Sequence, residues 1–516
     1  MTTIIEKVSV RHPQYKAFIY VWRLVRDFVG GSASVKRNNV LYLPMPGAMV
    51  DSKSEPGDAV VNETRPPKEI GGFEPSSRNE GISIINDSVP WYYPTNRNYE
   101  SYLRRARVPD ITAFALRGLL GIATSKPPSI DLPSELKYLI DDSTNDGFSI
   151  YELFAFMVGE IMQSGRIGVM LDTTIDNKFK IMLYSAEAAI NWNTESENGE
   201  NTLKYVVLLE DELDLESDNI YAHEVKSKYL VLRMYNPDPE DDTENNPLVP
   251  GFIVDVYRED QKEDYPLEIN QPIIFNQVID EIPFIFAGSI DNTADCDESP
   301  LQGVADIALQ IYMKTADLNN AEFMTCNPTL YVTGVDKPPS ATGSNIVIAL
   351  PNPEATMAYT ETDTSGLSHV LEHIISLQEE AAAFGATLLG ARKKGAESAE
   401  AVKIHRSVGG ATLQSAVVSA SNAIEKILKM AARWSGKNDS EVSFVASTEF
   451  ANSSLSHTDI AALLSSYLSG ALSLEALVEQ HRKAGILPDG DTVDDEMERL
   501  EKQMVNIEDE DLSTAE

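Results

Sequence analysis

The residues with the clearest chemical purpose are Arg392, Lys393 and Lys394, set between Gly390 and Gly395. Lysine and arginine on a short glycine-flanked loop contact phosphates as charges and read no bases. A few such contacts, screened by salt, give weak and slippery binding to a polyanion. Lys403 and Arg406 follow near the start of the next helical pattern and are candidates for additional DNA or intersubunit contacts. A short basic run in isolation is usually a solvated turn. Here its position between two helices raises the phosphate-contact reading.

Other chemistry has little support. His369 and His373 lie four apart on one helical face. A surface or packing role fits them better than a metal pair, since no third ligand is indicated. The acidic runs Asp238–Glu244 and Asp291–Glu298 lack the glycine and glutamate spacing of a calcium loop, so solvated loops are expected. No phosphate-binding Gly-x-x-x-x-Gly-Lys-Ser/Thr, dinucleotide Gly-x-Gly-x-x-Gly, His-Glu-x-x-His or Gly-x-Ser-x-Gly occurs. No cofactor, metal site or catalytic group is expected.

The totals set bounds. The 516 residues carry 80 acids and 42 bases, a formal charge of −38. Such a surface repels nucleic acid at long range and leaves room only for local basic contacts. Cys296 and Cys326 are too few for a disulfide framework and fit a reducing compartment. No signal peptide and no membrane span are expected.

The elements that must position the loop can be read from periodicity and punctuation. A helix is expected over His12–Phe28, stopped by Gly30-Gly31. Residues 45–93 read as loop. Helix resumes over Tyr99–Ala123 with a break at Pro109. Ser149 and Glu152 form a capping box for a helix ending at Ser164, with Gly165 closing it and Gly168 in the following turn. Strands are expected at Val169–Asp172, Lys180–Tyr184, Lys204–Leu209, Tyr229–Met234, Phe252–Tyr257, Ile273–Phe275 and Pro283–Phe286. A helix from Pro300 to about Phe323 is apolar on more than one face. Strands at Thr329–Thr333 and Asn345–Leu350 follow, then a helix over Leu367–Phe384. After the basic loop a long helix runs from Ser398 to Trp434, softened at Gly409-Gly410. Two more helices, Ser456–Ser469 and Ser473–Ala484, precede residues 489–516, whose twelve acids and two bases mark a partly disordered tail. The fold class is α+β.

The order of local patterns resembles the portal proteins of tailed bacteriophages, most closely a phage family catalogued as a domain of unknown function. The patterns are His12-Pro-x-Tyr15 with Trp22 and Asp27; Tyr42-Leu43-Pro44; Ser164-Gly165-Arg166-x-Gly168-Val169; Tyr184-x-Ala186-Glu187-x-x-Ile190-x-Trp192; and Ile282-Pro283-Phe284. Pro300-Leu301, Asn327-Pro328, Glu397-Ser398-Ala399-Glu400 and Ala431-Ala432-Arg433-Trp434 complete the series over roughly residues 10–440. Glu397-Ser398-Ala399 stands where the family typically has Glu-Thr-Ala.

The resemblance implies a homo-oligomeric, dodecameric ring at one capsid vertex of a virion assembled in the host cytoplasm. Double-stranded DNA would pass through its channel during packaging and ejection. It implies a wing over residues 1–299, stem helices at 300–325 and 367–384, and a clip at 326–366. A tunnel loop at 385–397, a wing helix at 398–439 and a crown with acidic tail at 440–516 complete the set. Terminase, the major capsid protein and a head–tail adaptor would be its partners, and ring neighbours would cover the stem helix that is apolar all round. The competing readings are another head–tail connector or adaptor, and a metal-dependent nuclease built from the acidic residues.

Overall fold

The computed structural model describes residues 4–44, 97–174, 176, 178–197, 200–213, 225–236, 248–274, 277–325, 329–335, 353–360, 365–388, 399–448, 465–466, 473–483 and 499. The chain divides into two compact units, Met1–Ala446 and Ser447–Glu516. In the second unit, helix spans Leu474–Lys483, inside the expected Ser473–Ala484. The expected helix Ser456–Ser469 lies outside the described residues apart from Ser465 and Ser466, which are helical.

The first unit is α+β. Its helices are α1 (Ile4–Val8), α2 (Pro13–Gly30), α3 (Ser32–Arg37), α4 (Asn39–Tyr42), α5 (Arg97–Arg105), α6 (Ile111–Ala123) and α7 (Ile150–Ser164), followed by α8 (Gln302–Thr325), α9 (Ser365–Leu388) and α10 (Ala399–Trp434). A three-stranded antiparallel sheet holds β11 (Phe284–Gly288), β2 (Arg166–Thr173) and β3 (Phe179–Ser185) in that order. A five-stranded meander runs β4 (Ala189–Glu197), β5 (Glu200–Leu213), β6 (Val225–Tyr235), β7 (Gly251–Arg258) and β8 (Glu268–Asn270). Short pairs join β1 (Ser129–Asp131) to β14 (Ser443–Val445), β9 (Ile273–Ile274) to β10 (Gln277–Val278), and β12 (Thr329–Thr333) to β13 (Thr356–Thr360).

Local sequence sets the ends of α7. The Ser149 hydroxyl accepts from the Glu152 amide, and the Glu152 carboxylate accepts back from the Ser149 amide at 2.9 Å. Gly165 terminates the helix at φ +79°, and a Cβ there would stand 2.3 Å from the Asp297 carbonyl oxygen. Only glycine meets both demands. Gly168 corrects an expectation: it lies inside β2, not in a turn. A Cβ at Gly168 would meet the Phe284 ring at 2.3 Å, so this strand glycine admits an aromatic ring from β11.

Strand β4 was missed by alternation, because Ala188, Ala189, Ile190 and Trp192 are all buried and the polar–apolar rhythm fails. The expected strand Asn345–Leu350 lies outside the described residues. The partner of β12 there is β13, which sequence alternation did not mark.

The core of this unit gathers α7, the three-stranded sheet and the C-terminal half of α10. Leu413, Ala416, Val417, Ala420, Ala423, Ile424, Ile427 and Leu428 are all buried. Helix α10 runs unbroken through Gly409 and Gly410. Its far end is tied to β14, where the Ser421 hydroxyl donates to the Phe444 carbonyl and accepts from the Ala446 amide.

Candidate functional site

Helices α8 and α9 form a hairpin. Ile307, Ile311 and Leu318 of α8 pack with Ile374, Leu377 and Ala381 of α9, flanked by Ile111, Leu367 and Val370. The antiparallel pair β12–β13 connects the end of α8 to the start of α9. The opposite end of α9, Leu388, leads toward α10 through the segment that holds the basic loop. The hairpin thus carries a strand insert between its helices, and the basic residues follow α9 in sequence.

Other helices of the same chain cover a second apolar face of α8. Phe28 of α2 meets Tyr312 edge-on at 6.4 Å between centroids. Helix α5 clamps the outer half of α8. Tyr102 donates to Asp317 at 2.8 Å, Arg105 donates to Asn320 at 3.0 Å, and the Asn319 side chain donates to the Arg105 carbonyl at 2.9 Å. The Arg105 guanidinium also lies 3.5 Å from the centre of the Phe323 ring. Burial and the Asp317 hydrogen bond push the Tyr102 phenol well above its ordinary range. What remains bare is apolar surface on the outside of the hairpin: Met313, Met324, Leu371 and Ile375 are exposed, and so is Phe114 of α6, at 69 %.

The base of the hairpin is anchored by the segment 289–299. Within it the expected acidic loop Asp291–Glu298 does leave Asp291, Asp295 and Glu298 exposed, but the segment is also tied down by hydrogen bonds. The Asp297 carboxylate accepts from the Ile290 amide at 2.8 Å, and the Ser289 amide donates to the Gly165 carbonyl at 2.8 Å. Asn292 donates to the Ser419 carbonyl of α10 at 3.1 Å, and Ser415 donates to the Ile290 carbonyl at 3.0 Å. Gln14 of α2 donates to Asp295 at 2.8 Å and accepts from the Cys296 amide at 3.0 Å. Amide donors reach the Asp291, Asp295 and Asp297 carboxylates, contacts that composition does not reveal.

Two arginines, a partly exposed Arg26 and a buried Arg166, organise the platform beneath. Arg26 of α2 makes paired contacts to Glu160 of α7, at 2.7 and 3.1 Å, and to Glu187 in the turn between β3 and β4. Burial alone would raise the Glu187 carboxyl, but Arg26 reverses this and holds it below its ordinary value. Arg26 is correspondingly held in its charged form. Arg166 is different: it is 1 % exposed and has no carboxylate in hydrogen-bond contact among the described residues. Nearby, Asp27 accepts from Ser34 at 2.6 Å, Asn38 at 2.8 Å and Tyr42 at 2.5 Å, knotting α2, α3 and α4. Burial still raises its carboxyl, outweighing those three donors.

Of the residues singled out by sequence, Arg392, Lys393 and Lys394 lie outside the described residues. Lys403 and Arg406 belong to the N-terminal part of α10. His369 and His373 are exposed on α9, with Glu372 3.6 Å from His369. Among the described residues no group of three or more His, Cys, Asp or Glu is placed to hold a metal ion, and no helix is long and apolar enough to cross a membrane. Sequence reasoning recorded Arg166 and Glu187 only as parts of patterns and assigned Glu160 nothing. An acid inside the apolar run of α7 was the available signal for Glu160.

A family model described as a domain of unknown function, DUF4055, matches residues 300–435, the span from the start of α8 to the end of α10. No curated protein matches the chain. Among solved structures, a chain from the neck of an empty gene transfer agent (GTA) particle computed with C6 symmetry is similar, at TM-score 0.36 and 14% identity, covering 76% of this chain and 94% of that one. Chains from the virion of a native GTA particle, and from its neck computed with C12 symmetry, are similar at TM-score 0.34 and 13% identity over the same shares. A likeness this weak carries no argument about function.

Proposed function

We propose that this chain is the portal subunit of a tailed phage or phage-like particle. Copies assemble into a dodecameric ring at a unique capsid vertex, and DNA passes through the channel during packaging and ejection. The observation that carries the reading is the α8–α9 hairpin, with a strand insert between its helices, the basic segment following α9 in sequence, and uncovered apolar residues along its outside. A free-standing chain gains nothing by exposing Met313, Leu371 and Ile375, whereas neighbouring copies would bury them.

In this reading α8 and α9 are the stem, and residues 326–366 are the clip that meets terminase during packaging and the head–tail adaptor afterwards. Residues 385–397 form the tunnel loop. Arg392, Lys393 and Lys394 touch DNA phosphates, with Lys403 and Arg406 behind them on α10. The acidic remainder of the chain keeps DNA from adhering, and a narrow basic ring centres it. The body over residues 1–299 is the wing, facing the major capsid protein, and residues 440–516 are the crown. No catalysis is assigned; a separate ATPase supplies the work.

Electron microscopy of the purified protein, with its mass in solution, tests this. Rings of about a dozen subunits with a central channel are expected. A chain that stays monomeric at high concentration and in the presence of capsid protein overturns the reading. Replacing Arg392, Lys393 and Lys394 together with alanine should leave the rings intact and impair DNA packaging or retention. Normal packaging by that variant removes the tunnel-loop assignment.

A further inference from the structure

The buried guanidinium of Arg166 is incompletely paired. It lies between the faces of Phe286 and Trp192, 3.7 and 4.2 Å from their centres. One nitrogen, Nη1, donates to the Cys296 sulfur at 2.8 Å and to the Ala294 carbonyl at 3.3 Å. Its Nε and Nη2 groups are buried with no hydrogen-bond partner. Asp295 and Asp297 act on it only through space. A desolvated cation with two idle donors favours an anion bearing oxygen acceptors, and the group already in contact is a sulfur. Cys296 is a free, half-buried thiol on the clamp 289–299, so small solutes reach it.

We propose that Cys296 is a modification site at which a peroxide oxidises the thiol to a sulfinate that Arg166 holds. In the first step sulfur attacks one peroxide oxygen. The S–O bond forms, the O–O bond breaks, and the departing hydroxide takes the thiol proton as water, leaving a sulfenic acid. A second peroxide transfers another oxygen in the same way, and the sulfinic acid loses its proton to solvent. Each step oxidises sulfur by two electrons and reduces one peroxide to water. The sulfinate then sets negatively charged oxygens against a guanidinium that now meets only a neutral sulfur and one carbonyl. Burial pushes the Cys296 thiol up and Arg166 pulls it back, so oxidation is slow at neutral pH and quickens as pH rises.

The site does not depend on the ring reading and is tested on the full-length protein. After treatment with hydrogen peroxide at mildly alkaline pH, peptide mass spectrometry should find two added oxygens on Cys296. Cys326 in the same chain serves as the reference thiol. The oxidised protein should melt ~2–4 °C higher than the reduced one. Oxidation of Cys326 with Cys296 untouched, or a lower melting temperature after Cys296 is oxidised, overturns the proposal. A second variant pair needs no oxidant. Cys296→Asp places carboxylate oxygens against Arg166, whereas Cys296→Asn has the same size without the charge. The aspartate variant should melt above the asparagine variant; an equal or lower melting temperature is evidence against an anion-seeking Arg166.

Discussion

The platform and the hairpin solve the burial problem in opposite ways. In the platform, around α2, α7, β2 and α10, charged groups are taken inside and neutralised there. Arg26 is shared by Glu160 and Glu187, and Asp27 is capped by three donors. In the α8–α9 hairpin the interior is purely apolar, and further apolar side chains are left outside. Apart from two idle donors on Arg166, these platform charges find their partners within one chain. The hairpin has satisfied its inner seam but not its outer surface. Under the proposed function, the exposed apolar residues of the projection are where other copies would make contact.

The largest test of that contrast is Glu187→Ala. It leaves part of the Arg26 charge buried and unpaired, and should cost about 3–5 kcal/mol, read as a fall in the urea midpoint. Its acid dependence has a defined sign. Glu187 is held below its ordinary value of 4.5, so its contribution is full above that pH and is lost as pH falls through the lower folded value. Glu187→Gln should therefore flatten the acid limb of the stability curve. An unchanged acid limb would mean that the Arg26 network contributes little in solution.

Ile311→Ala empties part of the hairpin seam and should cost about 2–4 kcal/mol, loosening α8 from α9. Hydrogen exchange should locate the loss in the two helices and leave α7 protected. Exchange spreading evenly into the platform would erase the distinction between the regions. Gly168→Ala pushes a methyl group into the Phe284 ring and should cost about 1–3 kcal/mol, seen as a lower melting temperature. The smallest effect on folding is expected from Leu371→Lys with Ile375→Lys. Each exposed site should change monomer stability by less than about 0.5 kcal/mol. The same pair should nevertheless abolish ring formation by sedimentation. Intact rings would show that this surface is not the contact between copies.

Much of the frame was legible in the sequence, element by element. The Ser149–Glu152 box and Gly165 bounded α7. Pro109 separated α5 from α6, and alternation marked β3, β5, β6 and β7. Elements with two buried faces were harder. Strand β4 hides both sides of Ala189–Trp192 and so loses the period-two signal. The apolar faces of α8 were visible, but not which helix would fill each one.

The sequence by itself determined where helices start and stop, the presence of a basic loop in a chain of charge −38, and the α+β class. These depend on local backbone preference and composition, which act over a few residues. Only the tertiary structure decided that segment 289–299 is a clamp, that Glu160 and Glu187 share one arginine, and that Arg166 meets Cys296. Those contacts join residues more than a hundred positions apart, as with Arg166 and Cys296 or Arg26 and Glu160. Their stability comes from desolvation and paired charge, which exist only once distant segments have packed together.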